Sequence, residues 1–366
     1  QHQQQHQHQQ PPPQQTQQQP PPQQTQQPPP QQTQQPPAQQ QPVQQQPVQV
    51  VYHGTIVPTP NHNPEADAEK LRKAMKGMGT DEKAIIEVVG ARTSTELKAV
   101  ELAFKTCYGK DLMKDLKSEL SGRFEDTVLQ RFKPPAEYDA YCLKKAIEGA
   151  GTDEQAMIEI LSTRSNQQIR DIRATYKSLY GKDLEKETIS DTSGHFRRLL
   201  VSLLQGNRDE SGRTDHAAAM ADAQALYNAG EGKLGTDESK FNQILCSRGF
   251  PQLLLIFTEY TKISKYDIER SIEREMSGDL KNGMLALVKS ARSKPDYFAE
   301  RLYASMKGMG TDDRTLIRIV CSRCEVDMVE IKQAFLKKYN KTLAKMIEDD
   351  TSGDYKKLLV KIVGLQ

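Results

Sequence analysis

The first 64 residues of this 366-residue chain contain no Asp, Glu, Lys or Arg. The 50 basic and 48 acidic residues all follow Pro64, and their near balance gives a formal net charge of +2. For the chain as a whole, this charge excludes a strongly basic nucleic-acid binder and a strongly acidic solvating protein. The chain therefore joins two segments of different composition, and only the charged one can bury a core.

Long apolar runs are also absent. No stretch approaches the roughly 18 consecutive apolar residues of a transmembrane helix, and no apolar run near the start resembles a secretory signal peptide. Cysteine is scarce, with five in the chain. An odd number of cysteines in a long chain with a large core suits free thiols in a reducing compartment. We therefore expect a cytoplasmic protein without a signal peptide or a transmembrane segment.

Residues 1–50 consist mainly of Gln and Pro and hold 13 of the 20 prolines. The unit Pro-Pro-Pro-Gln-Gln-Thr-Gln-Gln begins at Pro11, Pro20 and Pro28. Such a segment lacks the large apolar side chains that offset the entropy of ordering, and proline triplets favour polyproline II. The sequence predicts a disordered arm over residues 1–60. The arm is a spacer, a self-association segment or a docking tract, and in the last case residues 11–37 would meet a proline-recognition protein.

The charged segment is helical in pattern and contains a repeat. Apolar residues recur at helical spacing, as in Ile85, Ile86, Val88 and Val89, and few segments alternate as strands do. A Gly-rich loop ending in Gly-Thr occurs four times, and its copies lie 72, 84 and 75 residues apart. The threonines of these loops are Thr80, Thr152, Thr236 and Thr311. Spacing of this kind predicts an all-α array of four repeats.

Each repeat is expected to contain five helices, and in the first repeat their predicted bounds are 65–75, 80–90, 94–106, 111–119 and 123–132. Thr80 is the predicted N-cap of the second helix, and Thr152 with Gln155 has the spacing of a capping box. An arginine recurs at the junction between the second and third helices of each repeat. The sequence predicts that these side chains cap carbonyls or form hydrogen bonds between helices, at Arg92, Arg164, Arg248 and Arg323.

A second motif follows each loop at a nearly constant distance. An acidic residue precedes a Ser-Gly pair 44 residues after the first loop residue, or 45 in the third copy, whose loop is one residue longer. These acids are Glu119, Asp191, Glu275 and Asp350. Each is predicted at a helix C-terminus, where the dipole disfavours an anion by roughly 0.3–1 kcal/mol. A bound cation would offset that cost, so the pattern indicates a metal site shared by loop and acid.

The loop chemistry favours calcium. Because glycine tolerates unusual φ angles, a Gly-x-Gly turn can direct several backbone carbonyls at one point. Three such oxygens and a bidentate carboxylate leave open one or more of the six to eight positions that Ca²⁺ prefers. A single carboxylate also leaves the site about +1 in charge, so an anionic phospholipid oxygen is expected to tighten binding. The loop tips, expected to enter the headgroup zone, are Met78, Ala150, Leu234 and Met309.

At these loops and acids, over roughly residues 65–366, the sequence resembles an annexin with four endonexin-type repeats. The resemblance implies a curved all-α disc with calcium sites on its convex face. It also implies reversible, calcium-dependent binding to acidic phospholipids such as phosphatidylserine, at the membrane periphery when calcium rises, with a role in membrane organisation or trafficking. The implied segments are the arm (1–60), the repeats 65–135, 136–207, 219–294 and 295–366, and a linker (208–218).

The resemblance also assigns calcium ligands, three backbone oxygens and one side chain in each repeat. These are Met75, Gly77, Gly79 and Glu119; Ile147, Gly149, Gly151 and Asp191; Gly230, Lys233, Gly235 and Glu275; and Met306, Gly308, Gly310 and Asp350. Thr80 with Glu82 is expected to form a secondary calcium site.

Two other function classes remain. A helical-repeat scaffold for protein partners, with calcium in a structural role, is the alternative to membrane binding. An enzyme is disfavoured because no nucleophile and base recur together and no zinc-protease motif is present. Self-association on membranes is left open.

Overall fold

The computed structural model describes residues 51–365. The tract of residues 1–50, with the predicted disorder and the docking tract 11–37, lies outside the described residues. Between residues 51 and 365 the chain forms twenty α-helices and no strand. The predicted all-α class is confirmed.

Five helices make up each repeat. The first repeat contains α1 Pro64–Ala74, α2 Glu82–Val89, α3 Ser94–Tyr108, α4 Leu112–Glu119 and α5 Gly122–Arg131. The second contains α6 Pro135–Ile147, α7 Glu154–Thr163, α8 Asn166–Tyr180, α9 Leu184–Asp191 and α10 Gly194–Leu204. The third contains α11 His216–Ala229, α12 Glu238–Ser247, α13 Phe250–Ile263, α14 Ile268–Glu275 and α15 Gly278–Arg292. The fourth contains α16 Lys294–Met306, α17 Asp313–Arg323, α18 Met328–Tyr339, α19 Leu343–Asp350 and α20 Gly353–Val363.

Aspartate, rather than threonine, caps the second helix of every repeat. The Asp81 side chain accepts the backbone N–H of Ala84 before α2, and equivalent bonds form at α7, α12 and α17 from Asp153, Asp237 and Asp312. The predicted Thr80 cap and the Thr152–Gln155 capping box are therefore wrong by one residue. The reason is that the threonine hydroxyl has another partner, described below.

Packing between repeats is reciprocal. Within each repeat, the first and third helices lie against each other. Between repeats one and four, α2 packs on α20 and α5 packs on α17. The same arrangement joins the second and third repeats, where α7 packs on α15 and α10 packs on α12. The four repeats thus form two pairs, in which each second helix contacts the fifth helix of the partner repeat.

Residues 53–59 are held on the repeats, although the sequence placed them in a disordered arm ending at residue 60. The Val329 N–H donates to the His53 carbonyl at 3.0 Å, and the Ile56 N–H donates to the Cys324 carbonyl at 3.0 Å. The Thr59 N–H donates to a Glu96 carboxylate oxygen at 2.6 Å. Ile56 is buried. This part of the prediction is wrong because the backbone finds hydrogen-bond partners on both the fourth and the first repeats.

Three of the recurring arginines form hydrogen-bonded ion pairs with another helix, in agreement with the predicted hydrogen bonds between helices. The Arg92, Arg164 and Arg248 guanidinium groups lie 2.6–2.7 Å from an aspartate on the first helix of their own repeat, at Asp67, Asp139 and Asp222. The fourth repeat differs because Phe298 is on its first helix. There, Arg323 lies 4.6 Å from the Phe298 ring centroid and pairs instead with Asp327, the residue that precedes α18, at 2.8 Å.

A buried ion pair joins the second repeat to the fourth. The Glu159 carboxylate on α7 accepts hydrogen bonds from Arg318 on α17 at 2.9 and 3.0 Å, and Arg301 lies 3.6 Å away. Glu159 and Arg318 are both buried. Burial alone would raise the pKa of Glu159, but the attraction and hydrogen bonds of Arg318 outweigh it and lower that pKa. The carboxylate is therefore ionised in the folded protein at neutral pH.

Glu159→Ala should lower the free energy of unfolding by about 3 kcal/mol, because it removes the hydrogen-bonded counter-charge of the buried Arg318 and leaves only Asp153, 3.8 Å away. Denaturant unfolding at pH 7 measures this loss. The control is Glu69→Ala, which removes an exposed carboxylate beside Lys73 and should leave the unfolding midpoint unchanged. An equal effect of the two substitutions would contradict the assignment.

The ion pair between Glu159 and Arg318 also makes the stability of the fold depend on pH. Because the folded-state pKa of Glu159 is lowered, its stabilisation is present above the unfolded carboxyl pKa of about 4.3 and is lost as the pH falls through the folded pKa.

Candidate calcium sites

The structure brings each Gly-rich loop against its distant acid. The acids end the fourth helices of their repeats, as predicted. In every repeat the threonine at the end of the loop donates its hydroxyl hydrogen to the acid's carboxylate. The distances are 2.9 Å for Thr80–Glu119, 2.7 Å for Thr152–Asp191, 3.1 Å for Thr236–Glu275 and 2.5 Å for Thr311–Asp350.

A backbone hydrogen bond closes each loop at its base. The Asp81 N–H donates to the Ala74 carbonyl at 2.9 Å, so residues 75–80 project as a closed turn between α1 and α2. The other repeats have the same bond at 2.7–2.8 Å, between Asp153 and Ala146, Asp237 and Ala229, and Asp312 and Ser305. The N-cap aspartate therefore both starts the second helix and closes the loop.

Three of the loops share a backbone conformation that glycine adopts most readily. In the first loop, φ is +110° at Gly77 and +88° at Gly79. The corresponding values are +112° and +95° in the second loop, and +112° and +88° in the fourth. A Cβ atom at these glycines would meet no other atom within 4 Å. The glycines are thus required by backbone conformation rather than by lack of space.

The predicted ligand oxygens of the first loop are available for a metal. Among the described residues, no hydrogen-bond donor occupies the carbonyl oxygens of Met75, Gly77 or Gly79. The same holds for the predicted oxygens of the second and fourth loops. A cation at these loops would meet three free carbonyl oxygens and one carboxylate, which is the oxygen-rich environment that suits calcium.

The third loop is different. Gly230 has a φ of −127°, and its carbonyl accepts the Lys233 N–H at 3.1 Å, so one predicted ligand oxygen is already engaged. Gly235 alone in this loop has a positive φ, of +82°. The extra residue therefore changes the loop conformation as well as its length.

The loop tips carry apolar side chains in full contact with solvent. Met78, Leu234 and Met309 are 106%, 103% and 107% exposed, and Ala150 is also exposed. Fully solvated methionine and leucine side chains gain free energy by entering an apolar phase. Their position at the loop tips places them beside the candidate metal sites.

The predicted secondary calcium site involves a threonine that already has a hydrogen-bond partner. Thr80, predicted to share a secondary calcium site with Glu82, donates its hydroxyl to Glu119. The secondary site stays a prediction. Residues 51–365 contain no group of three or more His, Cys, Asp or Glu side chains suited to a metal. A calcium ion at the loops would therefore depend mainly on backbone oxygens.

Comparison with known proteins agrees with the repeat. The annexin family model matches residues 66–130, 138–203, 221–287 and 297–362. The chain belongs to the annexin family. It is 55% identical to human annexin A7 over 314 residues, which cover 86% of this chain and 64% of annexin A7. Annexins are known for calcium-dependent phospholipid binding, and the four-repeat prediction is confirmed.

Solved annexins also resemble this annexin in structure. Chicken annexin V matches with a TM-score of 0.82 and 48% identity, covering 86% of this chain and 100% of that chain. A calcium-bound annexin, (Sm)1, matches with a TM-score of 0.76 and 32% identity, covering 86% and 93%. In the described part of this annexin, no helix is both long and apolar enough to cross a membrane.

Sequence reasoning missed the threonine–acid hydrogen bond, although the sequence contains a signal for it. Thr80 and Glu119 are 39 residues apart, and the other three pairs have the same separation. The number of residues between the first loop residue and the acid is larger by one in the third repeat than in the other three. The number of residues between the threonine and the acid is the same in all four repeats, because the extra loop residue lies before the threonine.

Gly308→Ala should lower the free energy of unfolding by about 1–2 kcal/mol, because alanine is strained at the φ of +112°. Met309→Ala is the matched control: it changes an exposed residue in the same loop and should alter stability by less than about 0.5 kcal/mol. Thermal and denaturant unfolding without calcium measure both. A fully tolerated Gly308→Ala would contradict the loop conformation.

Proposed function

We propose that this annexin binds acidic phospholipid membranes reversibly when calcium occupies its loop sites. The observation that carries the proposal is the threonine–carboxylate bond, which holds a distant acid against a Gly-rich loop in four repeats. A carboxylate fixed beside free carbonyl oxygens is pre-organised for a hard cation. Calcium is the expected cofactor.

The charge of each site explains why lipid would be needed. One carboxylate against Ca²⁺ leaves about one positive charge, and three carbonyls with a bidentate carboxylate leave coordination positions open. An anionic headgroup oxygen supplies both the missing ligand and the missing charge. Phosphatidylserine-like lipids are the expected partners.

Four such sites would act together on a bilayer. Linked weak contacts can raise the overall affinity by about 10²–10⁴ when they engage simultaneously. Insertion of Met78, Leu234 and Met309 beside the sites would add apolar burial at the headgroup boundary. Binding should therefore be steep in calcium and reversible when calcium is removed.

The finer roles follow from this proposal. We infer a calcium-regulated, non-enzymatic peripheral protein of the cytoplasm, acting in membrane organisation or trafficking. Residues 11–37 remain a candidate partner site for a proline-recognition protein, and self-association on the membrane remains a hypothesis.

Replacing all four acids by their amides should abolish calcium-dependent sedimentation with phosphatidylserine vesicles, because it removes the carboxylates from the sites while preserving their shape. The substitutions are Glu119→Gln, Asp191→Asn, Glu275→Gln and Asp350→Asn. Circular dichroism should show unchanged helicity.

The matched control removes four exposed carboxylates away from the loops, by Glu65→Gln, Glu69→Gln, Glu87→Gln and Asp171→Asn. It should bind vesicles as the parent protein does. Retained binding by the four-site variant would contradict the assigned ligands. Binding of the parent to protein partners but not to vesicles at any calcium concentration would favour the scaffold alternative.

The third site should contribute less than the fourth, because the Gly230 carbonyl already accepts a hydrogen bond. Asp350→Asn alone should raise the calcium concentration for half-maximal vesicle binding by at least about threefold, whereas Glu275→Gln should raise it less. A calcium titration of vesicle binding compares the two variants. A larger effect at Glu275 would contradict this ranking.

A further inference from the structure

Four cationic side chains, from the second and fourth repeats and from the connection after α10, lie together at a distance from the calcium loops. Arg164 follows α7, Arg208 lies in the connection after α10, Lys294 begins α16, and Arg323 ends α17. We call these four residues the basic cluster. Because α7 begins at its calcium loop and is 10 residues long, Arg164 lies about 15 Å from that loop.

One aromatic ring and two clefts show how closely the cluster is assembled. The Arg208 Cζ and the Lys294 Nζ lie 4.7 and 5.3 Å from the centroid of the same Phe250 ring. Arg164 and Arg323 line one cleft of about 90 Å³. Arg164 and Arg208 line a second, of about 20 Å³. Arg164 therefore faces both clefts and connects the cluster.

Only two of the four cations have a bonded carboxylate among the described residues. Asp139 accepts two hydrogen bonds from Arg164, and Asp327 accepts two from Arg323. Arg208 donates instead to the neutral carbonyls of Leu245 and Arg248, at 2.8 and 2.7 Å. Lys294 has neither an ion pair nor a hydrogen bond to any described residue.

Two further acids act on the cluster from a distance. The buried Glu159, which is bonded to Arg318, attracts Arg164. The exposed Glu210 carboxylate accepts the Asn166 N–H at 2.8 Å and attracts Arg208 without bonding to it. The bonded groups thus comprise four cations and two carboxylates. Counted by bonded carboxylates alone, the cluster is two negative charges short of its four cations, and partly buried charges are normally paired.

The position of Lys294 makes its unpaired positive charge less favourable. It is the first residue of α16, where the helix dipole disfavours a cation and favours an anion. Burial, Arg323, Arg164 and Arg208 lower the pKa of Lys294 to about 8 against the opposing attraction of Asp327, and burial also lowers the pKa of Arg208. The arginines at the C-terminal ends of α7 and α17 suit those helix dipoles, but Lys294 has no such compensation.

We propose that the basic cluster binds a phosphate-type dianion, with Lys294 and Arg208 as its principal contacts. The anion would supply the two missing charges and would accept hydrogen bonds from both unpaired cations. It would also meet the favourable end of the α16 dipole. The ligand is either free phosphate or the phosphate of a small monoester, and its site is separate from the calcium loops.

The test is isothermal titration calorimetry with inorganic phosphate, in chelator without calcium and at constant ionic strength. Lys294→Met should weaken phosphate binding at least about tenfold, as expected for loss of a charged hydrogen bond. Lys337→Met, which removes an exposed α18 lysine, should change the affinity less than about twofold. Equal affinities in the parent and Lys294→Met, or no binding by the parent, would overturn the proposal.

A measurement on the unaltered protein keeps the proposal testable should Lys294→Met not fold. Sulfate does not titrate between pH 7 and 9.5, so its affinity reports only on the protein. The affinity should fall as the pH rises through about 8, because Lys294 loses its charge there. The nearby Cys246 thiol, whose pKa burial raises to about 12, stays neutral in this range. A pH-independent sulfate affinity would overturn the proposal.

Glycerol 3-phosphate distinguishes the two sources of the anion. Tighter binding of this monoester than of inorganic phosphate would support the proposal and identify an organic phosphate as the ligand class. The reverse order would support it with the free ion as ligand. In both cases the preference must depend on Lys294, and a preference that survives Lys294→Met would contradict the assignment.

Discussion

The hydrogen bond between a loop threonine and a carboxylate 39 residues later is the interaction on which each repeat depends. It joins the loop, the start of the second helix and the end of the fourth helix at one point. The acid would otherwise sit unsupported at a helix C-terminus, where its charge is disfavoured. The hydroxyl partly compensates this cost without neutralising the carboxylate, so the repeat keeps an anion ready for a cation.

Much of this arrangement can be predicted from the sequence because it is periodic. Helical apolar spacing locates the elements, and four copies of loop and acid reveal a shared site. The choice between Thr80 and Asp81 as N-cap could not be predicted, because both residues are good caps and the choice depends on a carboxylate that the fold brings near. The altered third loop shows the same limit: its extra residue is visible, but the Gly230–Lys233 bond is not.

Long-range charge pairing was beyond sequence reasoning altogether. Glu159 and Arg318 are 159 residues apart, and neither belongs to a repeated motif that would identify the other as its partner. The aspartates that pair with the recurring arginines could have been found, since they lie 25 or 26 residues earlier in three repeats. Phe298 breaks that pattern in the fourth. The resulting pairing of Arg323 with Asp327 could be learned only from the three-dimensional arrangement.

The reciprocal pairing of second and fifth helices affects the order in which the repeats can fold during synthesis. Repeats two and three are neighbours in the chain, so α7 and α10 meet their partners once α15 has been synthesised. In contrast, α2 packs on α20, the last of the twenty helices between residues 51 and 365. At typical synthesis rates, the apolar face of α2 waits on the order of tens of seconds for that partner. The middle pair can therefore assemble first, while the first repeat is exposed to chaperones and to mispairing until α20 has been synthesised.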